Sequence, residues 1–325
     1  MVVLFRERSP ASLIWILLIA AGLHAHDFMT QPVVLSAAKD GLISWFFRML
    51  LPGLSGLPVF LLYLLLLMIQ ALRFNYVMND LRMFQHPNFL TAMSYVMFAS
   101  LLPPWHTVSP ALVANIFIIW IYSLILRLYN NRNPRSLLFN IGLISGLAIV
   151  CYHPLILMAV VVLFALIVIR PFNLTEIFVL LIGVVTPFYF LGAYLFLTDQ
   201  WDDLLRYLPS WDFRWPALQK DYRLALTIGV LLVSFLSGIF VWERNNRRML
   251  IQSRKNWGVL LLLFLLFLPV PLVHYENSVN AMFLWIPPLA AFAANAFLYP
   301  RKTLFPVILF WLIIIISVYN NWFQG

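Results

Sequence analysis

Two histidines and an aspartate, His24-Ala25-His26-Asp27, follow directly on the first apolar run of the chain. A carboxylate beside an imidazole, held against an apolar and water-poor wall, suits a general base or a divalent-cation ligand. Alternating histidines are not in themselves a metal motif, and the same residues would also make a polar turn at a membrane interface. Comparable groups stand at the ends of other apolar runs. His106 follows Pro103-Pro104-Trp105, Asp202 and Asp203 are adjacent, and His274 and Glu276 precede a late run. Asp27, with His26 or His106, is therefore the candidate general base, and Asp202, Asp203, His274 and Glu276 are candidate binding residues. Adjacent acids suit Mg²⁺ or Mn²⁺, which take oxygen ligands, so a divalent cation is a candidate cofactor, though the sequence assigns none. The plain alternative for Asp202 and Asp203 is a solvated helix start.

These residues depend on the apolar runs for their positions. With 63% hydrophobic residues, 10% charged residues and a mean hydropathy of +0.91, a soluble fold could not cover its apolar surface. Runs long enough to cross about 30 Å of hydrocarbon, or nearly so, number about eleven. They fall near Ala11–Ala25, Leu54–Leu72, Phe89–Leu102, Pro110–Leu126, Leu137–Tyr152, Pro154–Ile169, Glu176–Leu197, Leu224–Trp242, Trp257–Val273, Ala281–Leu298 and Thr303–Tyr319. The uncharged stretch from Leu137 to Ile169 is read as two spans, because Cys151-Tyr152-His153-Pro154 breaks it where a proline suits a new first turn. Counted so, with the N-terminus inside, 15 of the 21 Lys and Arg lie on the inner side. That division is what the positive-inside rule requires. The expectation is an all-α, polytopic transmembrane helix bundle, a single integral membrane domain over residues 1–325, in a bacterial inner membrane with the C-terminus outside.

The net charge of +9 is then explained by orientation and by contact with anionic membrane lipids, and nucleic acid is not an expected partner. One cysteine, Cys151, leaves no intrachain disulfide and no cysteine-based zinc cluster. Arg6 and Arg8 before a short apolar run also describe a signal peptide, but Leu23 and Ala25 fit a cleavage site poorly, and a retained anchor is expected.

Five of the six histidines and eight of the twelve acids fall on or near the outer side. There Asp40, Ser44 and Arg48 recur every four residues among Leu42, Ile43, Trp45, Phe46, Phe47 and Leu50, which predicts a helix over Asp40 to Leu51 lying in the outer headgroup zone. Trp201, Tyr207, Trp211, Phe213 and Trp215 supply headgroup anchors in the loop after Thr198. Within the spans, Asn115, Asn140 and Asn295 are candidates for hydrogen bonds between helices, and Pro287 and Pro288 break a late span whose remaining face is alanine.

Leu4-Phe5-Arg6 with Ser9-Pro10, the Cys-Tyr-His-Pro hairpin, Arg170-Pro171-Phe172 and Thr186-Pro187-Phe188-Tyr189-Phe190 resemble an uncharacterised bacterial family of polytopic inner-membrane proteins with a domain of unknown function. That resemblance implies no activity. The layout also resembles the C-type (GT-C) glycosyltransferases. In that comparison Asp27 takes the first-loop acid position, Asp40 to Leu51 the interfacial helix, and Pro287 to Ala291 the late span. The Asp-Glu pair common in that first loop is absent, and no large C-terminal soluble domain follows. The resemblance implies transfer from a polyisoprenyl-linked sugar at the outer face. The alternative is a non-enzymatic membrane scaffold or transporter component.

Overall fold

The structure, a computed structural model, describes residues 2–7, 9–30, 34–35, 41–50, 56–129, 131–201, 207–208, 222–246, 249–273, 278–300 and 304–323. Twelve helices of more than one or two turns organise them: α1 (Pro10–Leu23), α2 (Leu42–Leu50), α3 (Leu57–Asp80), α4 (Leu90–Ala99), α5 (Pro110–Leu126), α6 (Arg135–Cys151), α7 (Ile156–Ile169), α8 (Leu174–Leu197), α9 (Tyr222–Asn246), α10 (Ile251–Phe267), α11 (Ile286–Leu298) and α12 (Leu304–Trp322). No β-strand occurs among the described residues; Val34 and Val108 form an isolated parallel bridge. Among the described residues, six helices are long and apolar enough to cross a membrane: α3, α8, α9, α12, Ile251–Leu272 and Ser278–Leu298. Five shorter apolar helices accompany them, and the chain has the make-up of a membrane protein.

Local chemistry sets the boundaries. Ser9 and Ser109 cap α1 and α5 by accepting from the amides of Ser12 and Leu112, each with proline as the first helical residue, where its missing N–H costs nothing. The uncharged stretch from Leu137 does split, with α6 ending at Cys151, Tyr152 extended, and a 3-10 turn His153–Leu155 leading into α7. Pro287 and Pro288 occupy the first turn of α11 rather than kinking its middle.

The expected end of the second span at Leu72 is two turns short. α3 continues to Asp80 because Arg73 folds its guanidinium over the Tyr76 ring, 5.4 Å from the centroid, and Asn75 and Asn79 both donate to the Asn88 carbonyl (2.9 and 2.8 Å). The α2 helix forms, but its polar stripe does not face outward as a whole. Ser44 is fully buried beside Ile43 while Trp45, Phe46, Met49 and Leu50 are exposed. Asp40 lies outside the described residues.

Helices α4 and α11 form the centre. Every residue of α4 is buried, as is α11 from Ile286 to Phe297, and the two pack on each other. Asn115 donates to the Tyr95 hydroxyl (3.2 Å) and the Phe283 carbonyl (3.0 Å), and Tyr95 donates to Gln70 Oε1 (2.7 Å), so a polar chain ties α3, α4 and α5 to the turn before α11. Asn140, by contrast, is exposed, and the buried Asn295 side chain has no hydrogen-bond partner among the described residues.

The contacts at the two ends of the bundle are distinct. At one end Arg6 donates to the Phe297 carbonyl (3.0 Å), Lys255 to that of Ile169 (3.0 Å) and the Trp257 indole to that of Met83 (3.2 Å). At the other, Leu35 pairs with Val108, and the backbone of Gly41 lies against that of Cys151.

Helix α8 packs almost wholly on α6. Gly142 of α6 meets Gly183 of α8, and Gly146 meets Val184, so closely that a β-carbon at Gly142 would strike the Leu180 carbonyl, and one at Gly146 that of Val184. Small residues four apart let two backbones approach in a setting where van der Waals packing drives association. Gly146→Leu is expected to destabilise the fold by about 1–3 kcal/mol, whereas Gly258→Ala, where the added carbon meets nothing, is expected to be neutral or mildly stabilising. Thermal melts in detergent check this, and equal melts for the two variants would sink the seam.

Candidate acid–base site

His24 sits just past α1, where its Nδ1 contacts the Ala20 carbonyl at 2.8 Å. A carbonyl only accepts, so Nδ1 carries the hydrogen. In the neutral ring Nε2 is then the acceptor, and it faces the Tyr63 hydroxyl at 3.0 Å. Tyr63 lies in the second turn of α3 and is fully buried; a phenol there needs a partner, and His24 supplies it. The chain past His24 tightens into a turn in which the Asp27 amide donates to the His24 carbonyl (3.1 Å), and Asp27 opens a short helix, Asp27–Thr30.

His106 ends a 3-10 turn, Pro103–His106, that is anchored on both sides. Before it, the Trp105 indole donates to the Val279 carbonyl (2.7 Å) and packs edge-on to Phe283. After it, Val108 pairs with Val34, and Ser109 caps α5. Held in this way, His106 Nδ1 lies 3.1 Å from Asp27 Oδ1 and 3.0 Å from Oδ2, with Oδ1 better aligned for the hydrogen bond. The His24 and His106 rings are 4.5 Å apart. All four groups are buried: His24 and Tyr63 fully, His106 to 2% exposure and Asp27 to 7%. His106 Nε2 has no hydrogen-bond partner among the described residues.

This arrangement has a definite chemical capacity. The carboxylate fixes the tautomer by accepting from Nδ1–H, which leaves the lone pair of Nε2 to take a proton. Both His24 nitrogens are already engaged. One carboxylate and one free imidazole nitrogen therefore compose the working unit, and protonation of His106 makes a neutral ion pair rather than an isolated buried charge.

Of the residues expected from sequence, Asp27 and His106 meet. The His26 ring sets edge-on to Trp322, 5.3 Å between centroids. Asp202, Asp203, His274 and Glu276 lie outside the described residues. Among the described residues no three His, Cys, Asp or Glu side chains gather as a metal site. The sequence reading passed over Tyr63, although a lone phenol in the apolar run before Leu72 was a signal that something polar must meet it. It noted His24 but not its part in holding Tyr63.

No curated protein and no solved structure matches the chain, and no comparison ties it to the C-type glycosyltransferases. The model of DUF6427, a family of unknown function, matches residues 43–323, a stretch that holds Tyr63 and His106 but not His24 or Asp27, and the chain belongs to that family.

Proposed function

We propose that the chain is a multi-pass protein of a bacterial inner membrane, with eleven crossings, the N-terminus in the cytoplasm and the C-terminus outside. Asp27 and His106 then stand at the outer face as an acid–base couple serving group transfer from a lipid-linked substrate, and a polyisoprenyl-linked sugar is the class the sequence resemblance implies. The carrying observation is the buried contact of 3.0 Å between Asp27 and His106, with Nε2 unpartnered. In the proposed step an acceptor hydroxyl attacks the sugar's anomeric carbon, His106 Nε2 takes the hydroxyl proton, and the lipid phosphate leaves with the bonding pair. Asp27 orients the ring and balances its charge. This departs from the sequence expectation, which made Asp27 itself the base.

Support for the topology comes from the 15 basic residues on one side against six on the other. The bundle-end contacts agree with it, since Arg6, Lys255 and Trp257 engage one end while Val34, Gly41 and Trp105 engage the other. A cysteine placed at Asn246 is expected to react with impermeant maleimide only from the cytoplasmic side. Labelling from the periplasm would overturn the orientation. For the activity, the purified chain in proteoliposomes is expected to consume a polyisoprenyl-phosphate sugar, and His106→Ala is expected not to. Absence of turnover by the intact chain across acceptor hydroxyls would favour a scaffold.

A further inference from the structure

At the end of α6 away from Cys151, a cavity of about 590 Å³ opens between the first turns of α6 and α8. Its volume falls in the range of small-ligand sites, about 300–1,000 Å³. Its charge is one-sided. Three guanidinium groups line it, those of Arg132, Arg135 and Arg170, against one carboxylate, Glu176. That carboxylate is fully committed, because Arg170 grips it through Nε (3.1 Å) and NH2 (3.2 Å). The remaining Arg170 nitrogen donates to the Leu128 and Asn131 carbonyls (3.0 and 2.8 Å), so the pair is a rigid, neutral wall. Arg132 and Arg135 are exposed to the cavity mouth, and neither has a hydrogen bond or ion pair among the described residues. Two unbalanced cations therefore face one space.

The helix directions add to this. Along the glycine seam Gly142 meets Leu180 and Gly146 meets Val184, so residue numbers rise together and α6 and α8 run parallel. Both helices consequently start at the cavity; the start of α6 has no side-chain cap, whereas that of α8 is capped by Asn173, whose Oδ1 accepts from the Thr175 amide (3.0 Å). The Ser136 and Thr175 hydroxyls complete a lining of donors. Guanidinium forks, hydroxyls and the uncapped amide end of α6 match the oxygens of a phosphate better than those of any neutral group.

We propose that this cavity binds the phosphate group of an anion, with Arg132 and Arg135 as its charge partners. It lies at the far end of α6 from the Asp27–His106 region and does not depend on the acid–base reading. Two sources carry this chemistry: the headgroup of an anionic phospholipid, and free phosphate or a soluble phosphate ester.

The test uses the delipidated full chain in detergent, with Arg132→Gln/Arg135→Gln as the variant, both positions being exposed. Its melt in phosphatidylcholine should equal that of the unaltered chain. Phosphatidylglycerol is then titrated by native mass spectrometry, and inorganic phosphate by its effect on the melt. With about a fivefold gain per cation near a charged surface, the variant is expected to lose about 30-fold in affinity. Loss for phosphatidylglycerol alone assigns a lipid headgroup; loss for inorganic phosphate as well assigns a general phosphate site. Equal binding of both probes by the two proteins would overturn the proposal. Should the double variant fold poorly, Ser136→Asp tests the same point by placing a repelling carboxylate at the lining, and unchanged binding there also overturns it.

Discussion

Removing the Asp27 carboxylate, in Asp27→Ala, is expected to lower the proposed transfer from a polyisoprenyl-linked sugar by about 10²- to 10⁴-fold, and removing His106 in the same chain is expected to lower it no further. The argument rests on the two residues acting as one unit. Without Asp27, His106 Nδ1 loses its 3.0–3.1 Å partner, and the ring is free to hold its hydrogen on the wrong nitrogen. Without His106, the carboxylate has nothing to orient. A buried donor left unsatisfied also costs about 1–3 kcal/mol of stability, so each variant needs its melt measured beside its rate. Asp27→Asn separates the two effects, since an amide oxygen still accepts from Nδ1–H but cannot balance an imidazolium. It is expected to fold normally and to be slow. Single-variant losses that multiply in the double variant would show two independent roles and end the idea of a couple.

The second large effect concerns stability. Glu176→Ala is expected to destabilise the chain by about 3–5 kcal/mol, because Arg170 then keeps a mostly buried charge with no counter-ion. The side chains are 18% and 11% exposed, and Arg170 also holds the Leu128 and Asn131 carbonyls, so it cannot swing out without abandoning them. Arg170→Met/Glu176→Leu together should recover much of the loss, since no unpaired charge remains. Denaturant or thermal melts in detergent measure both. A Glu176→Ala melt within about 0.5 kcal/mol of the unaltered chain would mean that water already screens the pair.

Hydropathy made the helical runs legible, because a bilayer-facing segment announces itself residue by residue. The Cys151-Tyr152-His153-Pro154 break was readable for the same local reason: proline restricts its predecessor whatever the surroundings. Where the apolar span was ended near Leu72, the helix that holds it runs on to Asp80, since one charge ends an apolar run and not a helix, and Arg73 lies over the Tyr76 ring. The inward turn of Ser44 depends on which face of α2 meets the bundle, and spacing alone does not fix that. Gly142-x-x-x-Gly146 was a local signal for a tight helix crossing and went unused, although the partner glycine, Gly183, could not have been named from it. The pairing of Asp27 with His106 joins residues 79 apart, and only their common side was visible in sequence. Arg170 and Glu176 are six apart across Pro171, a spacing that matches no helical face.

The position of Tyr63 carries an electrical consequence. It stands six residues into the 24-residue α3, so His24 and the neighbouring His106 lie about a quarter of the way along that helix, about 9 Å from its start. Carrying a unit charge through the whole membrane potential involves about 2.3 kcal/mol per 100 mV, so, with α3 crossing the membrane as proposed, a proton reaching His106 from the near side along α3 would exchange about 0.6 kcal/mol per 100 mV with the field. On that topology an energised membrane would bias the passage of protons to the site, and proton-dependent work there would vary with membrane voltage even at constant pH.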